Sequence, residues 1–287
     1  MSRRFRFVKF EFPWVLGPQP GRYTIRERLG EAPAYVLVLR TLGAPERRML
    51  VSRRRPREAA PQPPPCPVMT SRATLVHTDA LANARAAEQW ITEADADALA
   101  DDALARLNRV LHGHRAATAD PFAREVAREQ ALVTRIGYGD GESVADGRWL
   151  DARELAPPYR ERGMRPERSA LRPQERLAAL LAGRDAVLAC EELTLRARSD
   201  LDAGRLREAA LQLRVALQAA LAELEAWSGQ PSLPERIEEL RGRQEVVGAA
   251  ADAALLGGIS DEHIDTVRSV LGRVEAALRA RTASGFE

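Results

Sequence analysis

Two proline- and arginine-bearing stretches divide this chain, and they limit its folding more than any other feature. The first runs from Ala44 to Arg72, "APERRMLVSRRRPREAAPQPPPCPVMTSR", and holds seven prolines. Such a segment has too little apolar surface to bury a core, and its prolines favour an extended, polyproline-like path. The second, "PPYRERGMRPERSALRP", runs from Pro157 to Pro173. Between and beyond them the apolar periodicity changes character. The expected organisation is an α+β module over 1–43 and 73–156, interrupted by the linker 44–72. A linker over 157–172 and an all-α helical bundle over 173–283 follow.

The module reads mainly as strands. In "RFRFVKFEF", Phe5 and Phe7 alternate with Arg4 and Arg6, which places the phenylalanines on one face and the arginines on a solvated one. "GRYTIRERLG" follows the turn signal "GPQPG", and "AYVLVLRTLG" follows that. These make a small antiparallel sheet that something has to cover. "ATLVHTD" is a further strand, ending at Asp79, which is placed to cap a helix through Trp90. Thr92 and Asp95 resemble a capping box before "ALADDALARLNRVLHGH", whose apolar residues Leu99, Ala103, Leu107, Val110 and Leu111 share a face; Gly113 reads as the stop. His112 and His114 flank that stop, where imidazoles suit the helix dipole; no ligand set completes a metal site around them. Asp120-Pro121 is expected to open another helix.

The run "ALVTRIGYGDGESVADGRW" raises the question of chemistry. A dinucleotide loop needs G-x-G-x-x-G, but after Gly137 and Gly139 the third position is Glu142. A mononucleotide loop needs a lysine, and the chain has one, Lys9, far away. Asp140, Glu142 and Asp146 would repel a phosphate, and too few of them fit a calcium hand. The expectation is two strands joined by a glycine turn, with Gly137, Gly139, Asp140, Gly141 and Glu142 as the residues of a small polar-ligand loop if the turn binds anything. No catalytic constellation and no cofactor is expected: G-x-S-x-G, H-E-x-x-H and C-x-x-C are missing. Cys66 lies in the proline-rich linker and Cys190 in a helical pattern, so no disulfide is expected.

Charge is distributed unevenly. Of 43 basic residues, 42 are arginine, a bias that coding from a GC-rich genome would produce. Residues 1–57 carry 14 basic and 4 acidic side chains, against 29 and 37 in the remainder. Arg47, Arg48, Arg53, Arg54 and Arg55 are therefore the candidate contacts to an anionic surface such as nucleic acid. No apolar run approaches the ~20 residues of a membrane span, and the N-terminus lacks the apolar core of a signal peptide, so the cytoplasm is the expected compartment.

Beyond Pro173 five helices are expected. The first ends at Gly183, the second at Gly204; the third spans "RLREAALQLRVALQAALAELEAWSG"; the fourth starts from a Ser232–Glu235 capping box and stops at Gly257-Gly258; Ser260 starts the last. In the last, Ile264, Val267, Leu271, Val274 and Leu278 repeat at heptad-like intervals, with Val270 and Ala277 widening the stripe. Such width points to contact on two sides, which five helices packed together could satisfy internally; the alternative makes Ile264, Val267, Val270, Leu271 and Val274 the candidate surface for a protein partner or a second copy in a homodimer. "LTLRARSDLDAGRLREAALQLRVAL" resembles a tetratricopeptide helical hairpin, with Ala197 at the small position, Gly204 at the turn, and Ala209, Leu213 and Ala216 at packing positions. Arg196, Asp200 and Leu221 depart from that pattern, and Glu238 stands where a second turn glycine would recur. The resemblance covers about residues 193–220 and implies helix-mediated protein contact. The function expected from sequence is a non-catalytic interaction protein, with nucleic-acid association as the alternative and an enzyme at the glycine loop third.

Overall fold

The computed structural model describes residues 3–28, 30–43, 68–157 and 173–283, and the chain falls into two compact units divided near residue 160. The proline-rich stretches, with Cys66 and the arginines from Arg47 to Arg55, lie outside the described residues.

The first unit is built on a six-stranded antiparallel sheet. Its strands are β1 (Arg4–Phe12), β2 (Gly21–Ile25), β3 (Tyr35–Leu42), β4 (Thr70–Leu81), β5 (Val133–Asp140) and β6 (Asp151–Leu155), in the order β2-β3-β4-β1-β5-β6. β1 thus sits near the centre, and both its faces are buried. Val8, Phe10 and Phe12 point to one side, where Leu37, Leu39, Leu75 and Ile136 join them. Helix α2 (Ala96–Thr118) closes that side with Ala96, Ala100, Ala103, Leu107 and Leu111. Small residues at three of the four-residue turns let the helix approach the sheet closely. Helix α1 (Ala84–Glu93) lays Ala87 and Ile91 against Tyr138.

Local chemistry shifts several boundaries from those expected. β4 runs on to Leu81, so Asp79 is a strand residue and Asn83 caps α1 by accepting from Ala86 N–H at 2.9 Å. Asp95 itself caps α2, accepting from Ala98 N–H at 3.0 Å. Thr92 instead donates to the Glu88 carbonyl. α2 passes through Gly113 and ends at Ala119 in the left-handed region (φ 51°). No helix starts at Pro121. Asp120 accepts from Phe122 N–H, which closes a turn. The Asn108 side-chain amide then pairs with both the N–H and the carbonyl of Val126, at 2.8 and 2.9 Å. That pairing offers an extended backbone the bonds a neighbouring strand would supply, and it outcompetes the helix.

The second unit has six described helices: α3 (Pro173–Leu181), α4 (Ala189–Asp202), α5 (Leu206–Glu223), α6 (Leu233–Arg241), α7 (Gln244–Leu255) and α8 (Asp261–Ala283). Glycines with φ of 69°, 72° and 94° at Gly183, Gly204 and Gly257 turn the chain where expected. The fourth expected helix is two, broken at Gly242 and Arg243. Ser232 makes no capping bond, because its own backbone is left-handed (φ 62°). One core joins α4 to α8, from Cys190, Ala197 and Leu201 through Leu213, Leu217, Leu233, Ile237 and Val247 to Val274 and Ala277. Ala179, the buried residue of α3, lies outside it.

Candidate functional site

The glycine stretch proves to be a packing device. Gly137 and Gly139 lie inside β5, not in a loop. A Cβ on Gly137 would stand 2.5 Å from the Asp151 carbonyl and 2.8 Å from the Phe7 ring; one on Gly139 would stand 2.6 Å from Val144 Cγ1. The missing side chain of Gly139 makes room for the short 3-10 turn Gly141–Asp146, which folds back over the sheet and seats Val144 beside Phe7 and Val76, and that of Gly137 lets the Phe7 ring and the β6 backbone close over the strand. Gly141 and Gly147, at φ 59° and 87°, make the two bends. Asp140 ends the strand exposed and Glu142 lies within the turn. The residues expected to line a ligand loop therefore do not converge on one.

What the turn does cover is a polar row on the sheet. Residues directly opposite on neighbouring strands project from the same face. The register places Val38, Thr74, Lys9, Arg135 and Glu154 in one line across β3, β4, β1, β5 and β6. The next line holds Arg40, Arg72 and Glu11. Lys9 is 2% exposed, and its ammonium lies 2.7 Å from Glu11 Oε1. Arg72 Nε donates to the same oxygen at 2.9 Å. Trp149 roofs the row, its ring 5.1 Å from Lys9 Nζ and 4.9 Å from the Arg135 guanidinium, and tilted 5.9 Å from Phe7. Arg135 is paired with Glu154, and Arg40 lies 3.6 Å from Asp146 of the turn. Burial lowers the Lys9 pKa from its ordinary value, helped by Arg72 and Arg135 and opposed by Glu11. Burial pushes the Glu11 carboxyl up, but its bonds to Lys9 and Arg72 bring it below the usual range.

On the opposite face, the His77 ring packs 4.5 Å from Tyr35, over which Arg106 stacks at 4.3 Å. Burial, with Arg6 and Arg106 nearby, lowers the His77 pKa to about 4, so this imidazole is neutral at pH 7. His112 and His114 do not share a site. His112 Nδ1 lies 3.9 Å from Glu125, and the His114 ring edge occupies the space beside Gly17. Among the described residues no group of three or more His, Cys, Asp and Glu is placed to hold a metal, and no helix is long and apolar enough to cross a membrane.

The helical unit carries a second polar cluster. Arg176 of α3 bonds Asp185 at 3.1 Å and Glu191 at 2.6 Å, and Arg281 of α8 bonds the same two carboxylates at 2.5 and 3.3 Å. The Arg281 guanidinium also stacks 4.5 Å from Trp227. Nearby, Glu223 accepts from the N–H groups of Ala189 and Cys190, which caps α4 from another helix. Burial and the Glu223 carboxylate push the Cys190 thiol well above its ordinary pKa, so it is inert.

The proposed partner stripe on α8 is corrected by the structure. Val267, Val270, Leu271 and Val274 are 2% exposed or less, and Ile264 is half-buried. Their width is taken up by neighbouring helices of the same unit. Exposed apolar side chains occur elsewhere: Leu177 is 50% exposed and Leu181 81%. Lys9, Thr74, Trp149 and the Arg176–Arg281 cluster went unassigned at the sequence level. The one available signal was a single lysine in a chain otherwise built with arginine. No protein-family model, curated protein or solved structure matches this chain.

Proposed function

We propose that this chain is a non-catalytic interaction protein whose helical unit docks a second copy of itself. The observation that carries the reading is the orientation of α3. Leu177 and Leu181, one turn apart, face solvent, with Val187 exposed just beyond, while Arg176 and Ala179 face the bundle. A helix fastened through a guanidinium rather than its leucines keeps an apolar stripe for another surface. Two-fold self-pairing is the commonest use of such a stripe. The resemblance of residues 193–220 to a tetratricopeptide hairpin supports the same reading. Sedimentation velocity in the micromolar range should show association that Leu177→Glu with Leu181→Glu abolishes. A monomer throughout, or association unchanged in the double variant, defeats it.

A second reading, association with nucleic acid, is favoured by where the arginine run attaches. Segment 44–67 joins β3 to β4, whose ends meet so closely that a Cβ on Gly43 would stand 3.2 Å from the Val68 carbonyl. Segment 44–67 thus begins four residues after Arg40 and ends five before Arg72. Low-salt binding to DNA or RNA should fall steeply with rising salt, and replacing Arg47, Arg48, Arg53, Arg54 and Arg55 with Ser should flatten that slope. Absence of binding at low salt removes this reading.

A further inference from the structure

The polar row beneath Trp149 has unfilled chemistry, and it belongs to a different unit from the docking helix. Lys9 and Arg72 share one carboxylate, Glu11, while Arg135 has its own in Glu154. One positive charge is therefore in surplus at a place where Lys9 is almost fully buried, and a buried surplus charge is costly unless something neutralises it. Beside Lys9 on the next strand stands Thr74, fully buried, and among the described residues its Oγ1 has no hydrogen-bond partner. Buried hydroxyls are nearly always bonded, and in mid-strand the adjacent carbonyls are already committed to the ladder. A surplus cation next to an unused O–H donor is the complement of an oxyanion, which accepts from both.

The identity of the cation fits the same purpose. Forty-two of the 43 basic residues are arginine, and the exception is the one at the centre of the sheet. An ammonium is a compact point charge with three donors. A guanidinium is a flat fork with five, and the Trp149 ring already has one against it, that of Arg135 at 4.9 Å. Of the three ammonium donors, Glu11 takes one and the face of Trp149 lies against the group. The rim of the row is accessible: the side chains of Arg40, Asp146 and Glu154 are about half exposed (43%, 52% and 55%).

We infer that this row is a binding site for a single oxyanion group, a phosphate or a carboxylate, held by Lys9 and Thr74 with Arg72 beside them and Trp149 above. Glu11 splits the two cations and sets the spacing at which they meet the ligand. The group is the anionic end of a small molecule or a free ion; the chemistry at the site is the same.

The single lysine makes a clean probe. In protein labelled with 13C-lysine, the ε-carbon gives one resonance, which is followed while inorganic phosphate, acetate or chloride is added at constant ionic strength. Saturable movement with phosphate or acetate, but not chloride, is expected. Thr74→Val keeps the β-branched shape and should weaken that binding about tenfold, the value of one charge-assisted hydrogen bond. The midpoint of Lys9 titration should also rise when the site is filled, since the bound anion favours the charged amine. Lys9→Arg, which keeps the charge, should lose binding while circular dichroism shows the fold intact. Movement that is linear and equal for all three salts, or Thr74→Val binding as tightly as wild type, overturns the site and leaves Thr74 to a buried water.

Discussion

Replacing Arg281 with Met is expected to destabilise the helical unit by about 3–5 kcal/mol, the cost of breaking a buried ion network from one side. Its side chain is 4% exposed, and Asp185 and Glu191, its partners, are 7% and 9% exposed. With Arg281 gone, two carboxylates in a nearly dry site would share Arg176 alone. Burial pushes the Asp185 pKa up, and only its bonds to Arg176, Ala186 N–H and Arg281 hold it below the ordinary range. The variant should therefore hold Asp185 less far below the ordinary range, so the stability this carboxylate contributes, which is present above that range and lost as pH falls through its folded pKa, should shrink. Arg176→Met should cost less, about 1–3 kcal/mol, because α3 gives no side chain to the main core and can release by itself. Adding Asp185→Asn and Glu191→Gln to Arg281→Met should restore part of the loss, since the penalty is the unpaired charge. Urea denaturation read by amide exchange over α5 and α8 isolates this unit. A cost below about 1 kcal/mol for Arg281→Met would mean that water screens the cluster.

That network also shows why part of the molecule was legible in the sequence and part was not. Alternation marked the three N-terminal strands, because a residue such as Phe10 reports its side of the sheet within its own strand, whereas the short β6, "DAREL", carries no such apolar alternation and went unread. Strand order depends on pairs far apart, such as Lys9 with Thr74 and with Arg135, and no local pattern encodes them. Helix ends moved for the same reason. Gly113 reads as a stop, yet α2 runs on to Thr118, and beyond that glycine the His114 ring packs beside Gly17. Asn108 decides the fate of residues 121–127 from a different element, which sequence spacing does not reveal. The broad stripe on α8 was read correctly as two-sided; its second side is α4 to α7 of the same chain rather than a partner. The charged residues that matter most, Lys9, Glu191 and Arg281, look like solvated positions until their neighbours are known.

Gly137→Ala is expected to cost the sheet unit about 2–4 kcal/mol, the scale of overpacking against groups that cannot yield. The new methyl would stand 2.5 Å from the carbonyl oxygen of Asp151, a backbone atom held in the β5–β6 ladder, and 2.8 Å from the ring of Phe7, which is itself 0% exposed. Neither can retreat without opening the pairing or lifting Trp149. Gly139→Ala meets Val144 Cγ1 at 2.6 Å, the end of a side chain on a short turn, and Trp149 Cα at 3.0 Å. A turn gives way more readily than a ladder, so its cost should be smaller, about 1–2 kcal/mol. Gly113→Ala and Gly272→Ala, in mid-helix with nothing within 4 Å, should instead stabilise by up to about 1 kcal/mol, since alanine is the better helix former. Thermal and urea denaturation of the four variants measures the contrast. The same set separates packing from ligand binding at "IGYGDG". If these glycines existed to let a ligand approach, Gly137→Ala would leave stability near that of wild type and damage only binding. A loss under about 1 kcal/mol at Gly137 would therefore reopen the strand as a ligand contact, whereas the full loss assigns Gly137 to the packing of Phe7 against β6.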